Sequence, residues 1–518
     1  MAEHFPRYVD GGPAPAQDGA TFRTFEPATR RHLADVPRCG PADVETAVAA
    51  ARRAFDRGLW PRMAPDERAA VLRRIAERIA AESGRLAELE VRDNGTTVRK
   101  ALGADVPGAR AAFAWSAWWA ERLPTRLGRP GTTEGRSPHY LRWQPLGVVA
   151  AIVPWNLPLL LAAWRIAPAI AAGNTCVVKP ASFTSLTALE LVRLMHECGL
   201  PPGVVNVVTG PGGTTGDSLV RARGVDLVAF TGSDAVGESV RSGAAGAGVS
   251  TRLDLGGKSP NVVLADADLD RAAAGVAWSI FLHNGQVCMA GSRAVVHTDV
   301  YDGFVERIRR RAGALRLGDP LDPDTDLGPL VSRNQARTAR HFTERGLGQG
   351  ARLVCGGRMP EPGELPEGLD PGAYFLPTVL ADVAPEDTVA QEEIFGPVLS
   401  VLRARDDADA VRVANASRYG LSAGVWSADA EHARTVAEAL RAEQVWINDY
   451  RLVDLDPPPA TDGPAGTAWD RVTNELDAYR SRQVVVDSTD GPPGLAPTPY
   501  HLLGSGLPPA VSRPRSTP

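Results

Sequence analysis

Three residues in this chain of 518 residues are of the types that acyl-transfer chemistry requires. Cys288 lies between two segments of small, turn-prone residues, 284–286 and 290–292, where a sharp turn would leave its thiol open to a substrate. Asp254 supplies a carboxylate 34 residues earlier, and Asn156 supplies a side-chain amide. A nucleophile, a base and an oxyanion donor together predict an acyl-enzyme mechanism. The alternative for an isolated cysteine is a small buried apolar residue.

Six short motifs surround these residues, and as an ordered set they resemble the aldehyde dehydrogenase family. The resemblance extends from about residue 25 to about residue 486. The motifs are Pro154-Trp155-Asn156, Gly173-Asn174-Thr175 with Lys179-Pro180, Phe230-Thr231-Gly232-Ser233, Leu255-Gly256-Gly257-Lys258, Gly285-Gln286-Val287-Cys288 and Glu392-Glu393-Ile394-Phe395-Gly396-Pro397. The resemblance implies NAD(P)-dependent oxidation of an aldehyde to a carboxylic acid through a thiohemiacetal and a thioester on Cys288.

The resemblance also implies roles for individual residues. Cys288 is expected to be the nucleophile, Asn156 and the Cys288 backbone N–H the oxyanion donors, and Asp254 the base that activates water. The residues expected to bind the cofactor are Ile152, Pro154, Trp155, Lys179, Ser182, Gly232, Ser233, Gly237, Leu255, Glu393 and Phe395. The residues expected to line an apolar substrate tunnel are Leu157, Leu161, Trp164, Val287 and Met289, which favours a hydrophobic aldehyde. No metal is expected.

The chain departs from the family at the expected base. The family usually has Glu where this chain has Asp254, and the missing methylene withdraws the carboxylate by about 1.5 Å. Misplacement on that scale can cost about 10²-fold in rate. Slow hydrolysis, an added water, or transfer of the acyl group to another acceptor are therefore all open.

Two further departures concern specificity. The family often has Glu at the position of Ser182, where a carboxylate repels a 2′-phosphate, so its loss tilts the cofactor choice from NAD toward NADP. The family's Gly-rich stretch near the C-terminus is replaced by a Pro-rich loop, residues 457–466. This loop lies near the substrate entrance in the family.

The elements that must position these residues alternate between apolar strands and helices. From residue 147 to residue 256, and again from 257 to about 450, such βα units predict parallel sheets covered by helices. Parallel sheets bind ligands at the carboxyl ends of their strands, and Asn156, Lys179 and Gly232 fall at such ends. The predicted fold is α/β, with a Rossmann-type cofactor domain, an α/β catalytic domain and a small β oligomerisation element.

The predicted domains are residues 1–123 with 145–256 for cofactor binding and residues 257–450 for catalysis. Residues 124–144 and 451–487 are predicted to form oligomerisation or bridging elements, including a hairpin within 124–143 and a strand at 482–486. They predict a homodimer or homotetramer. Residues 1–20 are rich in Gly, Pro and Ala and are expected to be loose, and residues 488–518 form a Pro-rich tail.

Composition excludes several classes of protein. A net charge of −5 without a basic run gives no reason to expect nucleic acid or a membrane as a partner. The apolar stretch 146–172 contains an arginine and three prolines, which favours a strand at 148–153 and a helix at 159–172 over a membrane span. Five scattered cysteines and a start without an apolar leader predict a cytoplasmic protein.

Two functional alternatives stay open beside aldehyde oxidation. In one, the acyl-enzyme passes its acyl group to an acceptor other than water because Asp254 is a poor base. In the other, the chain is a cofactor-binding relative with little turnover, as the altered loop 457–466 would suggest.

Overall fold

The structure is a computed structural model that describes residues 3–122, 126–127, 139–450 and 476–486. Its first large sheet has five strands, all parallel. In spatial order these are Val205–Val207, Thr175–Lys179, Val148–Ile152, Leu227–Thr231 and Ser250–Asp254. The first four are buried along their whole length, as strands covered on both faces must be. This confirms the predicted Rossmann-type arrangement.

Helices cover both faces of this sheet. Apolar side chains at helical spacing, such as Leu72, Ile75 and Ile79, pack into the same core as one face of the sheet. The helices are Pro41–Asp56, Pro65–Ala81, Ser83–Asn94, Val98–Lys100, Val106–Arg122, Pro158–Ala171, Leu186–Glu197, Asp217–Val220 and Asp234–Ala247.

The second large sheet has seven strands and follows along the chain. In spatial order these are Arg352–Cys355, Thr378–Ala381, Val398–Ala404, Arg293–His297, Pro260–Val263, Ser422–Trp426 and Gln444–Ile447. Every neighbouring pair is parallel except the first, which is antiparallel. Its helices are Leu269–Phe281, Tyr301–Gly313, Arg333–Gly348, Thr388–Gln391, Asp407–Asn415 and Ala430–Ala439.

One of these helices, Arg333–Gly348, is absent from the sequence prediction. Its buried face consists of small or polar residues, namely Ala336, Ala339, Thr343 and Gly346. The helix does alternate a polar and a buried face, but the buried face lacks the large apolar residues on which the sequence reading relied.

For the described residues 3–20, the prediction of a loose segment is wrong. The strands Arg7–Val9 and Gly12–Ala14 form an antiparallel hairpin, and Thr21–Phe25 begins a further sheet with His32–Pro37 and Glu3–His4. The buried Arg7 guanidinium anchors the hairpin through an ion pair of 2.6 Å with Asp43. A tertiary ion pair of this kind leaves no trace in local composition.

A small antiparallel sheet joins distant parts of the chain. The strand His139–Pro145 pairs on one side with Arg126–Leu127, as a hairpin requires, and on the other with Arg480–Val486. The loop 457–466 and the tail 488–518 lie outside the described residues. Within the described residues, no helix combines the length and apolar character that crossing a bilayer requires.

Candidate active site

The cysteine loop follows the helix Leu269–Phe281 and a tight turn, Leu282–Gly285. Gln286 is buried and fixes the loop: its Oε1 accepts from the Val331 N–H at 3.0 Å and its Nε2 donates to the His283 carbonyl at 3.2 Å. Burial, reinforced by the Glu393 carboxylate, raises the pKa of Cys288 to about 11. The group that approaches a substrate at neutral pH is therefore the thiol, which must lose its proton to attack.

Asn156 lies between the strand Val148–Ile152 and the helix Pro158–Ala171 and is almost completely buried. Its Nδ2 donates to the Gln286 carbonyl at 2.8 Å, two residues before Cys288 along the chain. A side-chain amide carries two N–H groups, so one remains for a bound oxygen. The structure thus joins the predicted oxyanion donor to the loop that carries the predicted nucleophile.

Asp254 ends the strand Ser250–Asp254, beside Thr231 in the neighbouring strand. Its side chain is 41% exposed and forms an ion pair with Arg165, whose side chain is only 5% exposed. Arg165 also donates to the Thr231 hydroxyl from Nε at 3.1 Å and from Nη2 at 2.8 Å. The carboxylate is thus tethered to a buried, hydrogen-bonded cation.

Sequence reasoning did not assign Arg165 to the site. The available signal was a single cation within an otherwise apolar helix, Pro158–Ala171. A buried cation needs a nearby partner, but the sequence alone could not show that the partner is Asp254.

The carboxyl ends of the central strands gather several of the predicted cofactor residues. Ile152 and Lys179 are direct neighbours in the sheet, and Pro154 and Trp155 lie two and three residues after Ile152. Lys179 is buried, its Nζ donates to the Pro180 carbonyl at 3.0 Å, and burial lowers its pKa to about 8.

The helix Asp234–Ala247 begins directly after Gly232 and Ser233, and the Ser233 side chain makes no capping hydrogen bond. Its first N–H groups can therefore meet an anion. A Cβ at Gly237 would lie 2.5 Å from the end of the Leu255 side chain, so glycine lets Leu255 keep its present position at the helix start. These features fit the pyrophosphate of a dinucleotide.

Glu393 and Phe395 approach the same edge from the second sheet. Glu393 accepts from the Gly257 N–H at 3.0 Å, and a Cβ at Gly256 would lie 2.3 Å from its carboxylate. Burial raises the pKa of Glu393 to about 7. The Phe395 ring stands edge-on to Trp155, with centroids 5.2 Å apart. Through these two residues, the second sheet contacts the edge of the first sheet that carries the predicted cofactor residues.

The predicted substrate residues fall into two separate apolar clusters. Leu157, Leu161 and Trp164 form one small cluster, while Val287 and Met289 pack into the core of the second sheet. Sequence reasoning missed Tyr450, whose hydroxyl donates to the Met289 carbonyl at 2.7 Å, because 161 residues separate the two.

Within the described part of the chain, no group of His, Cys, Asp and Glu side chains is placed to hold a metal ion.

Comparison with known sequences identifies relatives of the chain. A family model described as the aldehyde dehydrogenase family matches residues 14–463. An aldehyde dehydrogenase of Aspergillus niger is 38% identical over 452 residues, which are 87% of this chain and 88% of that protein. Aldehyde dehydrogenase family 2 member B4, mitochondrial, of Arabidopsis thaliana is 37% identical over 493 residues, covering 95% of this chain and 90% of that protein.

Comparison with solved structures gives the same family. Betaine aldehyde dehydrogenase from Staphylococcus aureus, solved in complex with NAD+, superposes with a TM-score of 0.87 at 31% identity. The match covers 94% of this chain and 95% of that one. The likeness therefore includes both large sheets and the edge on which the site lies.

Proposed function

The chain belongs to the aldehyde dehydrogenase family and is an oxidoreductase that acts on aldehydes, and on this premise we propose how its own residues perform the reaction. The observation that carries the proposal is the hydrogen bond from Asn156 to the Gln286 carbonyl, which brings an amide donor beside the Cys288 loop. The family relationship favours aldehyde oxidation over acyl transfer to another acceptor and over a low-activity relative.

In the first half of the reaction, the Cys288 thiol releases its proton to solvent, and the thiolate attacks the carbonyl carbon of the aldehyde. The new S–C bond makes a thiohemiacetal whose oxyanion accepts hydrogen bonds from Asn156 Nδ2 and from the Cys288 backbone N–H. Donors that are already fixed before reaction stabilise such a charge most effectively. A nicotinamide, when bound, supplies the hydride acceptor. Loss of hydride leaves a thioester on Cys288.

In the second half, Asp254 takes a proton from the water that attacks the thioester. The C–S bond then breaks, which releases the carboxylic acid and returns the thiol. Arg165 holds the Asp254 carboxylate in place. The Asp254 side chain is nevertheless one methylene shorter than the Glu usual in the family, which misplaces the attacking water. We expect hydrolysis to be slower than hydride transfer for this reason.

The cofactor is NAD or NADP, and we propose a preference for NADP. Ser182 carries no charge that would repel a 2′-phosphate, and its hydroxyl donates to the Gly210 carbonyl at 2.7 Å. Lys179 lies three residues earlier, at the end of its strand, and its pKa of about 8 leaves it mainly cationic at neutral pH. The helix start at Ser233 and Gly237, together with Glu393, would hold the rest of the dinucleotide.

The substrate is proposed to be a hydrophobic aldehyde. An apolar cluster lies next to Asn156: Leu157 directly precedes the helix Pro158–Ala171, and Leu161 and Trp164 lie in its first two turns.

A cytoplasmic location is also proposed. It is supported by the five cysteines, each of which is a free thiol, as expected in a reducing compartment.

The chain is proposed to form a homodimer or homotetramer. The strand Arg480–Val486 lies at the edge of its sheet, and Val484 on it is 61% exposed. An exposed strand edge offers backbone groups to a second copy. Light scattering at micromolar concentration should give at least twice the monomer mass, and a monomeric mass would contradict the proposal.

The activity is tested by incubating the purified protein with NADP or NAD and a panel of aliphatic, aromatic and charged aldehydes. Reduced cofactor should appear by absorbance, with one carboxylic acid per reduced cofactor by mass spectrometry. The rate should be highest with an apolar aldehyde and NADP. Reduced cofactor accompanied by an ester or thioester instead of acid would contradict the proposed second half.

A further inference from the structure

Two successive residues before the cysteine loop adopt left-handed backbone conformations. His283 has φ 52° and Asn284 has φ 56°, values that residues other than glycine seldom adopt. Asn284 stabilises the turn by donating from Nδ2 to the carbonyls of Gly328 at 3.0 Å and Pro329 at 3.2 Å. The turn directs the neighbouring His283 side chain into the protein, where it is buried.

The His283 imidazole meets the backbone of the proposed oxyanion donor. Its Nε2 lies 2.7 Å from the Asn156 carbonyl oxygen, and because a carbonyl only accepts, Nε2 carries the hydrogen. The same carbonyl accepts from Asn94 Nδ2 at 3.1 Å. In the opposite direction, Asn156 Nδ2 donates to the Gln286 carbonyl. The two loops are therefore joined by hydrogen bonds that run both ways.

We propose that His283 is a positioning residue, which fixes the Asn156 backbone against the cysteine loop and so sets where the Asn156 amide meets the developing oxyanion. The inference rests on the proposed role of Asn156 in the first half of the reaction. A donor amide gains its effect from being fixed before reaction, and displacements of about 1 Å can cost about 10²-fold in rate.

The imidazole is suited to this role because it stays neutral. Burial, followed by the nearby Lys100 cation, lowers the pKa of His283 well below its ordinary value. Within the described part of the chain, its other ring nitrogen, Nδ1, is buried without a hydrogen-bond partner. The hydrogen is thus placed on Nε2, where it serves Asn156.

Three variants of His283 separate the hydrogen bond from the backbone strain. His283→Asn suits the left-handed conformation but places its amide nitrogen short of the Asn156 carbonyl. His283→Gln presents an amide donor close to the Nε2 position, and His283→Leu presents none. We expect the Asn and Leu variants to lose about 10-fold in the single-turnover rate of cofactor reduction, with unchanged cofactor affinity. The Gln variant should recover most of that rate. Wild-type rates in the Asn variant would overturn the inference.

A double-mutant cycle with Asn156→Ala tests the coupling directly. If His283 acts through Asn156, His283→Leu should slow cofactor reduction in the wild-type background and have little further effect in the Asn156→Ala background. Additive losses would overturn the inference about His283 and leave the role of Asn156 intact. An Asn156→Ala enzyme that reduces cofactor at the wild-type rate would overturn the role of Asn156 and the inference with it.

Melting temperatures of all variants separate a general loss of stability from a loss of positioning. The matched control is His341→Leu, since His341 is exposed on the helix Arg333–Gly348. This control should leave both the single-turnover rate and the cofactor affinity unchanged. A comparable slowing in the control would show that the rate responds to histidine removal in general and would overturn the inference.

Discussion

The two halves of the proposed active site hold their proposed reacting groups in different ways. Around Cys288, neutral hydrogen bonds among buried groups join Asn156, Gln286 and His283 into a fixed framework. Around Asp254, a half-exposed carboxylate is held by a charged partner, Arg165. A preorganised neutral framework suits oxyanion stabilisation, whereas the short side chain of Asp254 misplaces the water that it is proposed to activate. The comparison therefore predicts fast hydride transfer followed by slower hydrolysis.

The largest effect is expected from Cys288→Ala, which removes both halves of the reaction at once. We expect the steady rate and the pre-steady-state burst of reduced cofactor to fall by at least about 10³-fold, as for other covalent nucleophiles. Cofactor binding, followed by fluorescence titration, should persist. Cys355→Ala is the matched control because Cys355 lies on a strand of the second sheet. A Cys288→Ala enzyme that keeps more than a few per cent of the wild-type rate would assign the nucleophile elsewhere.

Asp254 variants should separate the two halves. The wild-type enzyme should show a burst of reduced cofactor before a slower steady rate. Asp254→Asn should keep the burst and lower the steady rate by about 10²-fold, because only hydrolysis needs the base. Asp254→Glu should raise the steady rate by restoring the longer reach. An unchanged ratio of burst to steady rate in Asp254→Asn would instead indicate a purely structural carboxylate.

The pH dependence should also differ between the halves. Since burial raises the pKa of Cys288 to about 11, its thiolate fraction grows as pH rises from 7 to 9. We expect the burst rate constant, measured by stopped flow, to rise by about tenfold per pH unit where free thiolate limits attack. The steady rate should rise less steeply. A flat burst profile would mean that a neighbouring base takes the thiol proton in the protein.

Arg165 should matter mainly for hydrolysis. Arg165→Met removes the tether of Asp254, so we expect the steady rate to fall by about 10-fold while the burst changes less. Arg165→Lys keeps the cation and should give an intermediate rate. Arg340→Met is the control, since Arg340 makes an exposed ion pair with Glu344 within one helix, an arrangement worth little. Equal losses in the burst and in the steady rate would contradict the proposal that Arg165 acts mainly in hydrolysis.

The smallest effect is expected at Ser182, which concerns only the cofactor and hence the first half. Ser182→Glu should weaken NADP by about 10-fold relative to NAD, because a carboxylate repels the 2′-phosphate. Ser182→Ala tests whether the hydroxyl itself contributes. Titration of each variant with NADP and with NAD gives the dissociation constants for both cofactors. A wild-type preference for NAD would refute the proposed cofactor choice while leaving the comparison of the two halves intact.

Much of the fold could be predicted because its signals are local. Apolar strands such as Val148–Ile152 alternate with helices, and alternation on this scale dictates a parallel sheet with ligands at its carboxyl edge. The helix Arg333–Gly348 escaped prediction because small residues pack against the sheet without a strong apolar stripe. The N-terminal hairpin escaped because a distant carboxylate, Asp43, anchors it.

The sequence by itself determined which groups could react, since residue type fixes chemistry: a thiol at Cys288, a carboxylate at Asp254 and an amide at Asn156. Only the tertiary structure decided how each group is held. It paired Asp254 with Arg165, which lies 89 positions earlier, and placed His283 against the Asn156 carbonyl, 127 positions away. Ion pairs and hydrogen bonds act over a few ångströms in space, and separation along the chain carries no record of that distance.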